Sequence, residues 1–269
     1  MKDTVIIGGR GYIGSALREV IDADSLDVFD DWNTDKYGTI ILLAGHSSKP
    51  MGENRPDKAW VENVEKFKWL LDNLKDWQRL IYASSASVYN NIAGVPDETC
   101  SEFHPMNMYD LSKYVIDQLA ILKNKHTYGL RFCTVNGYSP VLRVDLMLNK
   151  MVEDAKQLGK VTIKNGDLTR PILGMNDLVR AVKAIVDSKE DNRGIYNLKS
   201  FHDKTVREFA EAVTKKFGGV VEDLGDEPHY VFGADTSKFE KTYNFEFKDT
   251  LDSILESLTK EPQEKVRRV

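Results

Sequence analysis

Cysteines and long apolar runs are both scarce in this chain of 269 residues. The two cysteines, Cys100 and Cys133, have no metal-ligand spacing and cannot build a disulfide framework. No segment reaches the roughly 20 apolar residues that a membrane-spanning helix needs, and the apolar stretch at the N-terminus is too short for a signal peptide. We therefore expect a soluble protein from a reducing compartment, the cytoplasm.

Positive charge is not in excess either. The 37 Lys and Arg residues are outnumbered by 42 Asp and Glu residues, which gives a formal net charge of -5. Proteins that bind nucleic acid or an anionic membrane present clustered positive charge, so neither partner is expected. A small anionic ligand is compatible with this composition, because backbone amides and one arginine can bind a phosphate. The five histidines are scattered without ligand spacing, and no metal site is expected.

Short apolar runs alternate with longer amphipathic segments over residues 3–136. The runs include TVIIGG, LDVFD, TIILLAG, RLIYASS and YGLRFCTV, and helical patterns separate most of them. Unbroken apolar strands between helices are typical of a parallel sheet that is covered on both faces. The expected fold class is therefore α/β, with a Rossmann-type doubly wound parallel sheet.

The pattern changes after residue 138. Helical periodicity recurs in four further segments, 141–158, 176–188, 205–217 and 248–259. We predict a dinucleotide-binding Rossmann domain at 1–138 and a smaller substrate-binding α/β annex that makes up most of 139–269. At least one strand or helix near 170–200 is expected to return to the main sheet. The polar tail KEPQEKVRRV is predicted to fray.

The stretch VIIGGRGYIGSAL combines an apolar strand, a glycine turn and the start of a helix. Its glycines have the spacing GxxGxxG, which permits a tight turn and a close approach of the backbone to a pyrophosphate. A glycine triplet alone is weak evidence for a dinucleotide site, but the preceding strand and the following helix supply the context that the motif requires. The residues assigned to cofactor binding here are Gly8, Arg10, Gly11, Tyr12, Ile13 and Gly14.

An acidic pair follows the second apolar run, LDVFDD. Asp30 is predicted to end the second strand, sixteen residues after Gly14, where a carboxylate can hydrogen-bond the adenosine ribose of a dinucleotide. Asp30 and Asp31 would repel the additional phosphate of NADP, whereas the guanidinium of Arg10 could pair with it. NAD is the expected cofactor, and NADP stays an alternative. The short interval before the next strand predicts that one crossover helix is missing.

Serines and a Tyr–Lys pair supply the candidate chemistry. Ser84, Ser85 and Ser87 lie at the carboxyl end of a predicted central strand, where ligands of a doubly wound sheet bind. Tyr109 and Lys113 are one helical turn apart, so they can share a helix face. A free tyrosine has a pKa of about 10, and a neighbouring ammonium favours the phenolate and lowers that pKa. Such a phenol can exchange a proton with an alcohol or ketone oxygen while hydride moves at the same carbon.

These motifs resemble those of extended short-chain dehydrogenases/reductases of the NAD-dependent epimerase/dehydratase family, which act mostly on nucleotide sugars. Similar segments follow in order along nearly the whole chain: GGRGYIGS, ILLAG, NRPDKAWVEN, YASSASVY, YDLSK, LRFCTVNG, TRPILGMNDL and YNLKS. Several are individually weak, and their order and spacing carry the resemblance.

The resemblance implies a role for each matching position. The glycines would form the pyrophosphate turn, Asp30 would bind the ribose, and Ala44 and Gly45 would lie by the cofactor. Asn63 would be the structural asparagine of the family. The implied catalytic residues are Ser85 as the hydroxyl, Tyr109 as the acid/base and Lys113 as its partner, and the implied substrate residues are Ser85, Ser87, Thr134 and Arg170. The resemblance also implies a homodimer that packs through the helical segment AWVENVEKFKWLLDNLKDW, residues 59–77, and the Tyr–Lys helix.

Departures from the family pattern narrow the reaction. Ala86 and Ser87 stand where dehydratases carry an Asp–Glu pair, and no Cys and His stand where 3,5-epimerases carry them. Thr134 replaces a substrate-binding Asn, and Asn90 replaces a common Gly. The remaining reactions are 4-epimerisation and 4-keto reduction of a nucleotide sugar. Alternatives are reduction of a carbonyl compound without a nucleotide, or dinucleotide sensing without catalysis. His46 is either a cofactor or substrate neighbour or an ordinary loop histidine.

Overall fold

A six-stranded parallel sheet forms the centre of the protein. The computed structural model describes residues 2–47, 55–201, 204–227 and 232–267. The sheet strands are β1 (Thr4–Ile7), β2 (Ala23–Leu26), β3 (Thr39–Leu42), β4 (Arg79–Ser85), β5 (Thr127–Phe132) and β11 (Gly194–Leu198). Their spatial order is β11-β5-β4-β3-β1-β2, and every pairing is parallel. The expected Rossmann-type α/β fold is confirmed.

Helices cover both faces of the sheet. They are α1 (Tyr12–Leu17), α2 (Pro56–Trp60), α3 (Lys66–Asn73), α4 (Met108–Lys123) and, from the second half of the chain, α6 (Met175–Asp187). Successive residues of β1 pack on opposite sides, since Val5 and Ile7 join the cluster under α3 and α4 while Ile6 joins the cluster that contains α1 and α6. This alternation explains why strands of the centre are apolar at every position.

Small strand pairs and further helices make up the second part of the structure. The additional strands are β6 (Thr134–Asn136), β7 (Val141–Arg143), β8 (Lys160–Ile163), β9 (Thr169–Arg170), β10 (Ile172–Gly174), β12 (Lys204–Thr205), β13 (Val220–Asp223) and β14 (Glu264–Val266). The additional helices are α5 (Met147–Leu158), α7 (Val206–Phe217), α8 (Ser237–Tyr243) and α9 (Leu251–Ser257). The strand β11 comes from the range near 170–200 in which a return to the main sheet is expected.

The second strand is shorter and earlier than predicted. β2 ends at Leu26, because the amides of Gly8 and Gly9 both donate to the Leu26 carbonyl and the chain then turns, with the Asp30 amide donating to the Asp27 carbonyl at 3.1 Å. The prediction that Asp30 ends this strand is wrong. The apolar residues that suggested a longer strand lie in the turn, where Phe29 is 91% exposed. Residues 27–38 contain no helix, so the prediction of a missing crossover helix is confirmed.

The C-terminal tail also differs from its prediction. β14 pairs in parallel with β7, and the Val144 amide donates to the Val266 carbonyl at 3.0 Å. Lys265 reaches the buried carboxylate of Glu153 at 2.9 Å. The expectation of a frayed tail is therefore wrong for Glu264–Val266. Among the described residues, no helix is both long and apolar enough to cross a bilayer.

Candidate functional site

A cavity of about 650 Å³ lies between the carboxyl ends of the sheet strands and the second part of the chain. Its sheet side is lined by the glycine turn, the end of β3 and the end of β4, and its other side by α5, β8 and Arg170. Ligands of open parallel sheets bind at this edge. The predicted site residues that line this one cavity are Gly8, Gly11, Tyr12, Ile13, Gly14, Ala44, Gly45, Ser85, Ser87, Tyr109, Lys113, Thr134 and Arg170.

The backbone of the glycine turn can pack this closely only because side chains are absent. Gly8 has a φ of 92°, which favours glycine, and a Cβ on Gly8 would lie 2.7 Å from the Ala44 nitrogen. A Cβ on Gly14 would lie 2.2 Å from the Gly8 carbonyl oxygen. The turn therefore has the close-packed backbone that a pyrophosphate approaches in dinucleotide sites.

Tyr12 has a second role within this turn. Its hydroxyl donates to the Gly137 carbonyl at 2.8 Å and accepts a hydrogen bond from the Asn149 amide at 3.2 Å. Burial raises the pKa of the Tyr12 phenol well above its usual value, so this group stays neutral. Tyr12 thereby ties the glycine turn to the chain beyond residue 136, a connection that the local motif did not predict.

The acidic residue that lines the cavity after β2 is Asp27. Asp27 and Val28 belong to the cavity wall, whereas Asp30 and Arg10 are not among the described residues that line it. The Asp30 carboxylate accepts a hydrogen bond from the Asp27 amide at 2.7 Å and pairs with the Arg10 guanidinium at 3.4 Å. Arg10 and Asp30 therefore offset each other's charge beside the turn.

His46 is a buried residue of the cavity wall. It is 4% exposed, and its Nδ1 lies 2.9 Å from the Glu62 carboxylate, which also lines the cavity. Glu62 and Asn63 lie on a π-helical turn, Val61–Glu65, between α2 and α3, and such turns are frequent at functional sites. The Asn63 amide donates to the His46 carbonyl at 3.1 Å and to the Ser112 hydroxyl at 2.9 Å. His46 thus lies in a loop at the cavity wall and is held there by residues that are distant in the chain.

Ser84 and Ser85 are the last residues of β4, and Ser87 lies in the turn that follows. The Ser85 hydroxyl donates to the Ser87 hydroxyl at 3.0 Å and accepts from the Ser87 amide at 3.2 Å, which caps the 3₁₀ turn Ala86–Tyr89. The Ser84 hydroxyl is buried and has no hydrogen-bond partner within the described part of the chain. Since Ser84 also lines the cavity, its hydroxyl is available to a bound molecule.

Tyr109 and Lys113 lie in the first two turns of α4. Asn107 caps this helix, with its side-chain oxygen accepting from the Asp110 amide at 3.0 Å. The Lys113 ammonium lies 5.8 Å from the centre of the Tyr109 ring and donates to the Ala83 carbonyl at 2.8 Å. Burial lowers the pKa of Lys113 from 10.5 to about 8, and the charge of Asp117 opposes this shift. At neutral pH the lysine therefore keeps a positive charge beside the Tyr109 ring.

Two arginines stand on the other side of the cavity. Arg170 lies on β9 and is 9% exposed. Arg143, at the end of β7, was missed by the sequence reasoning. Its guanidinium donates to the Ser47 hydroxyl at 2.9 Å and forms an ion pair with Asp145. The signal in the sequence was an arginine inside the otherwise apolar run VLRV.

No metal site accompanies these residues. Within the described ranges, no group of three or more His, Cys, Asp or Glu side chains is arranged to hold a metal ion. His202 and His229 lie outside the described residues. Cys133 is buried between β5 and β6, beside the cavity.

Together, the glycine turn after the first strand, the serine-ended fourth strand and the Tyr–Lys helix meet at the ligand-binding edge of a Rossmann-type sheet, the arrangement of a dinucleotide-binding protein. The model of the NAD dependent epimerase/dehydratase family matches residues 4–198. The chain therefore belongs to this family, whose members depend on NAD.

Curated relatives include two sugar-related proteins. Protein CapI of Staphylococcus aureus is 29% identical over 204 residues, which is 66% of this chain and 60% of CapI. The probable UDP-arabinose 4-epimerase 3 of Arabidopsis thaliana is 26% identical over 280 aligned positions, covering 80% of this chain and 68% of that protein. This chain thus spans about 60% of the length of CapI.

Solved structures share the fold over nearly the whole chain. The UDP-glucuronic acid 4-epimerase of Bacillus cereus, in complex with UDP-glucuronic acid and NAD, superimposes with a TM-score of 0.81 at 19% identity and covers 94% of this chain and 96% of that one. RMD from Pseudomonas aeruginosa, in complex with NADPH, has a TM-score of 0.81 at 17% identity, with 95% and 97% covered. These similarities support the fold.

Proposed function

We propose that this enzyme transfers hydride at C4 of a nucleotide-activated sugar, with Tyr109 as the acid/base. The observation that carries the proposal is that Ser85, Tyr109 and Lys113 line the same cavity as the glycine turn. NAD, when bound, supplies the hydride acceptor. The residues suited to hold it are those of the glycine turn, with Ala44 and Gly45 beside it and the free Ser84 hydroxyl in the wall.

The protein groups divide the proton chemistry between them. The Tyr109 phenolate takes the proton of the C4 hydroxyl as hydride leaves that carbon, and the phenol returns a proton when hydride comes back. The Lys113 ammonium lowers the pKa of the phenol. The Ser85 hydroxyl donates a hydrogen bond to the same sugar oxygen and orients it, while Ser87 holds Ser85.

Epimerisation is the reaction we favour over 4-keto reduction. The relatives include a probable UDP-arabinose 4-epimerase and a UDP-glucuronic acid 4-epimerase. This chain lacks the acidic pair that a dehydratase uses, because Ala86 and Ser87 follow Ser85. Interconversion of two UDP-sugars without net cofactor turnover supports an epimerase, whereas stoichiometric NADH oxidation by a 4-keto sugar would identify a reductase.

Arg170 is the proposed contact to the nucleotide diphosphate of the substrate, and Thr134 is a second substrate contact. A planar guanidinium suits the bidentate binding of phosphate oxygens, and Arg170 lines the cavity opposite the serines. Arg170→Ala should raise the KM for a UDP-sugar with little change in the dissociation constant of NADH. An unchanged KM would favour the alternative, a carbonyl substrate without a nucleotide.

NAD rather than NADP is the proposed cofactor, with Asp27 as the ribose contact. Asp27 lines the cavity directly after β2, and the Arg10 charge is offset by Asp30. Asp27→Asn should weaken NAD binding more than NADP binding. The matched variant Asp30→Asn should also shift the ratio of the two dissociation constants toward NADP, but by tightening NADP binding, because it frees Arg10. Tighter binding of NADPH than NADH to the unmodified enzyme would contradict this assignment.

A homodimer is the proposed assembly. Exposed apolar side chains occur on the helices that the family resemblance assigns to a dimer: Val61 is 42% exposed, Trp69 48%, Ile121 57% and Leu122 80%. Burying them against a second copy would remove this surface from water. Light scattering after gel filtration should give twice the chain mass, and Trp69→Glu combined with Leu122→Glu should give a monomer.

A further inference from the structure

Asn90 is a wholly buried polar residue just behind the serine turn. It is 0% exposed, and its amide donates to the Ser87 carbonyl at 3.1 Å, so its backbone is part of the turn that follows Ser85. Its side-chain nitrogen donates to the Asp110 carboxylate at 2.8 Å. Its side-chain oxygen is buried without a partner in the described part of the chain. The Asn90 side chain therefore makes its hydrogen bond to Asp110 while its own oxygen stays buried and unsatisfied, which is unfavourable in itself.

Asp110 follows Tyr109 directly and is 1% exposed. The same carboxylate oxygen, Oδ2, accepts from the Asn107 side chain at 2.8 Å and from the Met106 amide at 3.4 Å, in addition to Asn90. The Asp110 amide in turn donates to the side-chain oxygen of Asn107. The start of the Tyr–Lys helix is thus organised around one buried carboxylate.

The Asn90–Asp110 hydrogen bond joins two elements that carry different parts of the candidate chemistry. On one side it continues through Ser87 to Ser85, whose hydroxyls are bonded at 3.0 Å. On the other side it reaches the residue next to Tyr109. Lys113 makes a second connection, to Ala83 of β4, the strand that ends at Ser85. These two bonds fix the helix against the strand at two points about one helical turn apart.

We propose that Asn90 is a positioning residue that, through Asp110, holds the Tyr109 phenol against the Ser85 hydroxyl. The proposal rests on the proposed function, in which these two groups share one sugar oxygen. Small displacements matter in such an arrangement, because a misplacement of about 1 Å can cost about 100-fold in rate. Asn90 itself touches neither sugar nor cofactor, since it is absent from the described cavity lining.

The test is a double-mutant cycle with Asn90→Ala and Asp110→Asn. Each single variant should lower kcat by about tenfold, with the KM and the NADH dissociation constant within about twofold. The double variant should be no slower than the slower single variant, because both changes break one connection. The apparent pKa of the acidic limb of kcat should rise in Asn90→Ala, as the phenol moves away from the Lys113 charge. The exchanged pair Asn90→Asp with Asp110→Asn restores one amide–carboxylate bond and should recover part of kcat.

Two controls separate the possible failures. Thr250→Ala removes a helix cap far from the cavity. It should lower the melting temperature about as much as Asn90→Ala does, without changing kcat or its pH profile. Tyr109→Phe tests the proposed function itself. Full activity in Tyr109→Phe would overturn the function and the positioning role together. If Tyr109→Phe is inactive but Asn90→Ala keeps its kcat unchanged, the positioning role alone is overturned. Additive losses of kcat in the double-mutant cycle would overturn it as well. If Asn90→Ala does not fold, kcat of Asp110→Asn and of the exchanged pair tests the positioning role instead. An unchanged kcat in Asp110→Asn, or no recovery in the exchanged pair, would overturn it.

Discussion

Lys113 carries its charge at a buried position, and replacing it with methionine should stabilise the cofactor-free protein while it abolishes turnover. Burial lowers the pKa of Lys113 from 10.5 to about 8. At about 1.36 kcal/mol per pKa unit, carrying the charge at pH 7 costs the folded state about 3 kcal/mol. Lys113→Met removes this cost and loses the hydrogen bond to the Ala83 carbonyl, which is worth about 1 kcal/mol.

The expected net gain is about 2 kcal/mol, or a melting temperature higher by about 4–8 °C at pH 7. The gain depends on pH because the folded pKa lies below the unfolded one. Between pH 8 and 10.5 the unfolded chain binds more protons at this lysine, so the stability of the unmodified protein rises with pH in that window. The difference between the two proteins should therefore shrink from pH 7 to pH 9.5.

Calorimetry of the cofactor-free proteins at both pH values is the assay. The matched control is Lys189→Met, at an exposed lysine, which should change the melting temperature little at either pH. A lower melting temperature of Lys113→Met at pH 7, or a difference that is the same at pH 7 and pH 9.5, would refute the reasoning.

Three further changes have definite expected outcomes. Asp117→Asn removes the buried partner of Arg131, 2.8 Å away, and should cost about 3–5 kcal/mol, seen as a lower denaturation midpoint in urea. Gly14→Ala places a Cβ against the backbone of the glycine turn and should raise the dissociation constant of NADH, measured by fluorescence, at least about tenfold. Ending the chain at residue 261 removes β14 and the partner of Glu153, which should lower the melting temperature and raise the KM of the sugar.

Each of these outcomes has a matched comparison. Asp72→Asn, at an exposed ion pair, should leave the urea midpoint unchanged. If it lowers the midpoint as much as Asp117→Asn does, burial is not the reason for the effect of Asp117→Asn. Gly159→Ala, at a φ of 64° that favours glycine, has no atoms within 4 Å of the new Cβ; it should lower the melting temperature somewhat and leave NADH binding intact. If the truncated chain keeps the full melting temperature, the tail strand does not support β7.

The sequence predicted the features whose chemistry is local. The glycine turn, the serines at a strand end and the Tyr–Lys spacing each need only neighbouring residues, and the structure brings all of them to one cavity. The prediction failed for the second strand because Val28 and Phe29 are apolar although they lie in a turn after Leu26.

Other features depend on partners that are distant in the chain. The polar segment Glu264–Val266 becomes a strand only because it pairs with Val141–Arg143, and no periodicity within the tail indicates this. The contact of His46 with Glu62 likewise needs the π-helical turn. Asp27 rather than Asp30 lines the cavity because β2 ends at Leu26, and sequence patterns locate strand ends poorly.

Hydride transfer at C4 with Tyr109 as the acid/base is tested most directly by proton NMR of UDP-sugars incubated with the enzyme and NAD in D₂O. UDP-glucuronic acid, UDP-glucose and UDP-arabinose are the first substrates to compare. We expect a 4-epimer that retains protium at C4, because the hydrogen returns from the cofactor and not from solvent. We also expect that Tyr109→Phe slows the reaction by about 10²–10⁴-fold with unchanged NADH binding. Deuterium at C4, or a fully active Tyr109→Phe variant, would contradict this mechanism.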